Sequence, residues 1–167
     1  MPLSLLPDDI AALAARVVSE NIALGRKVAL AESCTGGLVA GALTEIAGSS
    51  AVLDRGYVTY SNEAKMEMLG VSEDVIATFG AVSVAAAWAM ALGALKHSQA
   101  DVAVSITGVA GPGGATTKKP VGMVVFARAI RGENPEMVVA DTRQFGDLGR
   151  SEVRRQAALV ALELLRP

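Results

Sequence analysis

Val28-Ala29-Leu30-Ala31-Glu32-Ser33-Cys34-Thr35-Gly36-Gly37-Leu38 reads as a short apolar strand, a turn of small polar residues and the opening of a helix. The helix continues through Val39, Ala42, Leu43 and Ile46, so a strand period gives way to a helical one within a few residues. A strand that stops where a helix starts leaves unpaired backbone N–H groups and the positive end of a helix dipole facing one point. Gly36 and Gly37 let a ligand approach that backbone, and Ser33, Cys34 and Thr35 bring hydroxyls and a thiol to it. Two readings stand. In one, Thr35 caps the helix, the glycines permit the turn and Cys34 is a small buried hydrophobe. In the other, the turn is an anion or oxyanion site carrying a nucleophile.

The 167 residues, 51% of them hydrophobic, suffice for one domain with a substantial core. Aromatic residues make up 4%, so that core is built from Ala, Val, Leu and Ile. A formal charge of −2 gives no footprint for nucleic acid or a membrane surface. The single cysteine excludes an intrachain disulfide and fits a reducing compartment. Met1-Pro2-Leu3-Ser4-Leu5-Leu6-Pro7 lacks the basic start of a leader, and the apolar stretch from Val84 to Leu95 is too short to span a bilayer. A cytoplasmic protein is expected.

Outward from the central turn, Asp8-Asp9 introduce a helix (Ile10, Leu13, Ala14, Val17, Val18) that stops at Gly25. Gly56-Tyr57-Val58-Thr59-Tyr60 reads as a strand, after which Ser61 caps a short helix from Asn62 to Leu69 that carries Lys65. Ser72 starts a helix ending at Gly80, and Ser83 caps a third, Val84 to Leu92, that is apolar almost all round. Such a helix is buried in the domain or against a second subunit, and a homodimer or higher homo-oligomer is expected. Val102-Ala103-Val104-Ser105-Ile106 is a strand covered on both faces. A polar, glycine-rich loop from Thr107 to Pro120 follows, suited to cradling phosphate but without the nucleotide P-loop spacing. Val121 to Ile130 and Met137 to Phe145 pair as a hairpin. A last helix, from Ser151 to about Leu165, buries Val153, Ala157, Val160 and Leu164, with Arg150 just ahead of it. The pattern predicts an α/β fold, a three-layer α/β/α sandwich with a mixed sheet of about five strands. Ligands in such sheets sit beyond the carboxyl ends of the strands, here at Glu32-Ser33, Tyr60-Ser61 and Ile106-Thr107.

With His97 the only histidine, Cys34 the only cysteine and no Asp/Glu cluster at ligand spacing, the sequence argues against a metal site, and His97, in the tail of an Ala-rich helix, is a poor base for a Ser-His-Asp triad. No metal and no cofactor are expected. What remains for nucleophilic chemistry is a hydroxyl or thiol served by a lysine whose pKa is lowered by burial or a neighbouring cation. Lys65 is the best placed for that, against the commoner fate of a solvated helix lysine. Lys118 and Lys119 read as solvent-facing or phosphate-facing charges. Cys34 is the rival nucleophile, because a helix N-terminus lowers a thiol's pKa.

Five motifs then occur in order: Ala31-Glu32-Ser33-Cys34-Thr35-Gly36-Gly37, Tyr60-Ser61-Asn62-Glu63-Ala64-Lys65, Gly80-Ala81-Val82-Ser83, Thr107-Gly108-Val109-Ala110-Gly111-Pro112 and Lys119-Pro120-Val121-Gly122. Together they resemble the CinA carboxy-terminal domain family, the nicotinamide-nucleotide amidases, from about Val28 to the last helix. The resemblance implies hydrolysis of the carboxamide of nicotinamide mononucleotide to nicotinic acid mononucleotide and ammonia, within pyridine nucleotide salvage. It also implies a stand-alone domain over residues 1–167, since the chain is too short for the N-terminal domain some members carry. Its site would consist of Ser33 as nucleophile and Lys65 as base. Tyr60 would orient Lys65 or lie against the ring, and Thr107 would place the carboxamide or the attacking hydroxyl. Backbone N–H groups of Cys34, Thr35 and Gly36 would hold the oxyanion. Gly108, Ala110, Gly111, Gly113, Gly114 and Arg150 would bind the nucleotide, with Arg150 on its 5′-phosphate.

Two departures from the family pattern stand out. Ala115 replaces a glycine of the usual loop and does not easily take φ > 0, so the loop either bends elsewhere or holds phosphate less tightly. Val84-Ala85-Ala86 replace the acidic residues that often follow the Gly-Ala-Val-Ser motif. The alternatives are an amidase using Cys34 and a non-catalytic nucleotide-binding or sensing module using the same cradle.

Overall fold

A computed structural model describes residues 3–167; Met1 and Pro2, part of the stretch read as lacking a leader, lie outside it. The elements run α1 (Asp8–Leu24), β1 (Val28–Glu32), α2 (Leu38–Thr44), β2 (Leu53–Val58), α3 (Asn62–Leu69), α4 (Glu73–Phe79), α5 (Val84–Lys96), β3 (Val102–Gly108), β4 (Met123–Ile130), β5 (Val139–Gln144) and α6 (Arg150–Leu164). The strands form one mixed sheet in the order β2-β1-β3-β4-β5. β1 pairs in parallel with β2 and β3, whereas β3–β4 and β4–β5 are antiparallel. This is the expected α/β/α sandwich.

Alternation along the strands sorts the two cores. Val28, Leu30, Val102, Val104 and Phe126 face α1, α2 and α6. Ala29, Ala31, Ala103, Ala127 and Ala129 face α5, with α3 and α4 beside it. Alanines on that face of the sheet let the alanine-rich α5 come close, and Ser105 Oγ donates to the Ala87 carbonyl at 2.6 Å. α5 therefore buries Ala87, Met90 and Ala94 in its own domain, while Val84 and Trp88 stay partly exposed. No described helix is long and apolar enough to cross a membrane.

Several boundaries differ from the pattern reading. β2 begins at Leu53 and ends at Val58, because Tyr60 already belongs to the turn that leads into α3. A 3-10 turn at Pro135–Met137 occupies part of the hairpin connection, so β5 starts at Val139 rather than Met137; at the far end of the pair β4 starts at Met123 and β5 stops at Gln144. Arg150 is the first residue of α6 rather than its neighbour. The helix buries Val153, Ala157, Ala158, Ala161 and Leu162, and Val160 and Leu164 reach only the rim of its contact with α1. The glycine loop bends at Gly111 and Gly114, whose φ values are 82° and 84°, and Ala115 keeps a negative φ. Ser61, Ser72 and Ser83 cap α3, α4 and α5 through their hydroxyls.

Candidate active site

The Ser33 N–H donates to the Ile106 carbonyl at 2.9 Å, extending the β1–β3 ladder one residue past the strand. Alternation then sends consecutive side chains to opposite sides of the sheet. Glu32 turns to α2, where its carboxylate accepts the N–H groups of Val39 at 3.0 Å and Ala40 at 3.1 Å. Ser33 turns to α3, where its Oγ lies 3.0 Å from Lys65 Nζ. Thr35 does not cap α2. Gly37 holds the N-cap position with φ 99°, and Glu32 supplies the acceptor that Thr35 was expected to supply. The Thr35 hydroxyl is buried without a partner among the described residues.

Lys65 is 1% exposed, and no carboxylate pairs with it among the described residues. Its Nζ meets Ser33 Oγ, the Thr59 carbonyl at 2.8 Å and the Tyr60 carbonyl at 3.2 Å. Burial lowers its pKa, opposed only by the charge that Cys34 would carry as a thiolate. As the ammonium, Nζ donates to all three oxygens; the same contacts also admit the neutral amine. Carbonyls can only accept, so they take its two N–H groups, and the lone pair is left for the Ser33 O–H.

The Cys34 thiol is 6% exposed beside Ser33. Burial pushes its pKa up to about 11, outweighing its hydrogen bond to backbone and the nearby Arg154. The helix N-terminus therefore does not make it a thiolate, and the geometry favours Ser33. Relative to an ordinary thiol at 9.0, the reactive form at neutral pH is about 100-fold scarcer. Iodoacetamide should accordingly label Cys34 at least about 100-fold more slowly than free cysteine, as read by intact mass. Labelling at the rate of free cysteine would restore Cys34 as a candidate nucleophile.

Ser33, Cys34 and Lys65 line a cavity of about 240 Å³ at the carboxyl ends of β1 and β3. Tyr60, Thr107, Gly108, Ala110, Gly111, Gly113, Gly114 and Arg150 line it too, so one cavity gathers most of the residues named from sequence. Thr35 and Gly36 do not line it. The Gly36 N–H already donates to the Ser33 carbonyl at 3.0 Å, which takes it out of the oxyanion set. No carbonyl accepts from the Cys34 N–H among the described residues, and the group nearest to it is its own thiol sulfur, a weak acceptor that a developing oxyanion outcompetes.

Tyr60 meets Lys65 only through its backbone carbonyl. Its hydroxyl accepts from Arg150 Nη2 at 3.0 Å, and its ring is 60% exposed at the cavity mouth. Thr107 donates to the Ala81 carbonyl at 2.7 Å, tying β3 to the loop ahead of α5. Gly108 answers to packing, since a Cβ there would lie 2.7 Å from the Val124 side chain. Arg150 Nη1 holds the Gly111 carbonyl at 2.8 Å. Lys119 donates to the Phe79 carbonyl, whereas Lys118 is exposed.

Asn62, Ala81, Val82 and Val109 also line the cavity. None of these four, nor Glu32 or Arg154, is among the site residues expected from sequence. Glu32 carries a signal, a carboxylate ending an otherwise apolar buried strand. So does Arg154, one turn beyond Arg150 on the same helix face. Asn62 carries none. Among the described residues no three His, Cys, Asp or Glu side chains group to hold a metal.

Fold and cavity together define an α/β/α protein with a lysine-paired serine at the carboxyl ends of its parallel strands. The chain belongs to the CinA C-terminal domain family, whose model matches residues 10–167. It is 53% identical over 144 residues to the nicotinamide-nucleotide amidohydrolase PncC of Escherichia coli strain K12, covering 86% of this chain and 84% of that one. The protein of the same name from Enterobacter agglomerans is 52% identical over 141 residues, covering 84% of each. Among solved structures, the competence/damage inducible protein CihA from Agrobacterium tumefaciens superposes with a TM-score of 0.93 at 53% identity, covering 98% of this chain and 97% of that one.

Proposed function

We propose that this chain is a metal-independent amidohydrolase that converts nicotinamide mononucleotide and water to nicotinic acid mononucleotide and ammonia. The observation that carries the reading is the placement of Lys65 Nζ, buried, uncompensated by any carboxylate among the described residues and 3.0 Å from Ser33 Oγ. The names of the relatives supply the substrate.

In the first half-reaction Ser33 Oγ attacks the carboxamide carbon as its proton passes to Lys65 Nζ. The pyridinium ring withdraws electrons and makes that carbon a better electrophile. Negative charge collects on the carbonyl oxygen, where the Cys34 N–H, that of the residue following the nucleophile, is the available backbone donor. Lys65 then returns the proton to the departing nitrogen. The C–N bond breaks, ammonia leaves and an ester remains on Ser33. Water, deprotonated by Lys65, cleaves the ester and regenerates the hydroxyl. Thr107 and Tyr60 flank the reacting group, Tyr60 offering its exposed ring to the pyridinium.

Arg150 uses two N–H groups on Gly111 and Tyr60, so others of its five remain for the 5′-phosphate. Gly111, Gly113, Gly114, Ala110 and Gly108 shape the cradle around that group. Arg150→Ala should raise KM about 10- to 100-fold with kcat kept within about tenfold, measured by steady-state ammonia release. A loss confined to kcat would move Arg150 from phosphate binding to the chemistry.

The reading extends to a cytoplasmic homodimer or higher homo-oligomer acting on a free nucleotide rather than on nucleic acid or a membrane. Its test is incubation of purified protein with nicotinamide mononucleotide in a chelator, where ammonia and nicotinic acid mononucleotide should appear in equal amounts. Ligand-dependent thermal stabilisation without ammonia would instead make the chain a nucleotide-binding module.

A further inference from the structure

Arg154 stands one turn beyond Arg150 on α6 and makes a two-pronged contact with the nucleophile turn. Its Nε donates to the Cys34 carbonyl at 3.0 Å and its Nη2 to the Thr35 carbonyl at 3.2 Å. Because a trans peptide holds its C=O and N–H on opposite sides, a carbonyl held on one side fixes where the following N–H points. The Thr35 carbonyl, held by Arg154 and also by the Leu38 N–H at 3.0 Å, directs the Gly36 N–H back to the Ser33 carbonyl, 3.0 Å away. With that carbonyl occupied, the Cys34 N–H points the other way, and Cys34 lines the cavity. Three successive peptide planes are thus set: Cys34–Thr35 by Arg154, Thr35–Gly36 by Arg154 together with the Leu38 N–H, and Ser33–Cys34 through Gly36. On the far side of the turn, the Glu32 carboxylate holds the first N–H groups of α2. Gly36 and Gly37, at φ 58° and 99°, have little conformational preference of their own to hold these planes.

We infer that Arg154 is a positioning residue that fixes the peptide planes of the nucleophile turn, so that the Cys34 N–H stays aimed at the developing oxyanion. The inference rests on the amidase reading above. It makes no contact with substrate necessary, and it separates the two arginines of α6: Arg150 acts on binding, Arg154 on the chemical step. Freed of Arg154, the Cys34 carbonyl loses its partner and the Cys34–Thr35 peptide can rotate, while the Leu38 N–H still holds the Thr35 carbonyl; the aim of the donor loosens with the Cys34–Thr35 plane.

Arg154→Met should lower kcat about 100-fold, the scale of losing one oxyanion donor, while KM changes less than about threefold. Arg154→Lys, which keeps the charge but not the fork, should recover only part of the loss. Guanidinium ion, well below denaturing concentration, should restore Arg154→Met in a saturable way and leave the wild type and Arg154→Lys unmoved. Thermal melts of each variant separate a lost fold from a lost aim. A fluorophosphonate probe, read by mass on the Ser33 peptide, gives a rate that does not depend on the nucleotide, and this rate should fall at least tenfold in Arg154→Met. If the wild type released no ammonia but this fall were seen, the amidase reading would fail and the positioning role would stand. If Arg154→Met stayed folded with kcat and labelling within threefold of the wild type, the positioning role would be wrong whatever the substrate.

Discussion

Ser33→Ala should lower ammonia release from nicotinamide mononucleotide by at least about 10⁴-fold, because it removes the atom that forms the ester and no second nucleophile is activated beside it. Cys34 cannot substitute, since burial keeps its thiol protonated with a pKa of about 11. The same change should alter unfolding free energy by no more than about 1 kcal/mol, the scale of a single hydrogen bond. Ser33 contributes one contact to Lys65, and the ladder bond from its N–H to Ile106 survives the substitution. Nucleotide binding should persist, as ligand-dependent stabilisation will report. A variant that retained more than a tenth of wild-type activity would exclude Ser33 as the nucleophile.

Lys65→Met should cause a loss of similar size, removing the proton acceptor while keeping the unbranched, buried shape. The pH dependence is the sharper signature. Burial lowers the Lys65 pKa below its ordinary 10.5, and the neutral amine is the working form. Wild-type kcat/KM should therefore rise with pH through that lowered value and fall away on the acid side. Residual activity of Lys65→Met should lack this limb. Stability must follow the same proton. Between the lowered pKa and 10.5 the unfolded chain binds more protons at this lysine than the folded one, so its contribution to stability rises with pH across that window. Urea unfolding of the wild type and Lys65→Met at several pH values should show this slope in the wild type alone.

Much of this arrangement is legible in the chain because it depends on local rules. The strand-to-helix change at Val28–Leu38, the serine caps of three helices and the apolar run of β3 each follow from period and capping chemistry. The meeting of Ser33 with Lys65 does not. The residues are 32 apart in sequence, and their contact depends on the alternation that continues β1 past its last residue and on the place of α3 against that face. Thr35 was the reasonable cap by residue type. Glu32 displaced it because the strand's direction aims a longer acceptor at the same N–H groups, a consequence of tertiary geometry. Gly36 looked free for an oxyanion for a related reason, since its engagement with Ser33 depends on a turn shape that residue types alone do not specify. Gly108 lines the cavity, and only the approach of β4 reveals that its missing side chain also avoids Val124.

Covalent catalysis by Ser33 is tested most directly by partitioning with hydroxylamine. If an ester forms on Ser33, hydroxylamine will compete with water for it, and the hydroxamate of nicotinic acid mononucleotide will appear in proportion to its concentration. Wild-type protein should give this product and Ser33→Ala should not. Ammonia released by the wild type with the free acid as sole product, at every hydroxylamine concentration, would mean that water attacks the amide directly and that Ser33 is not the nucleophile.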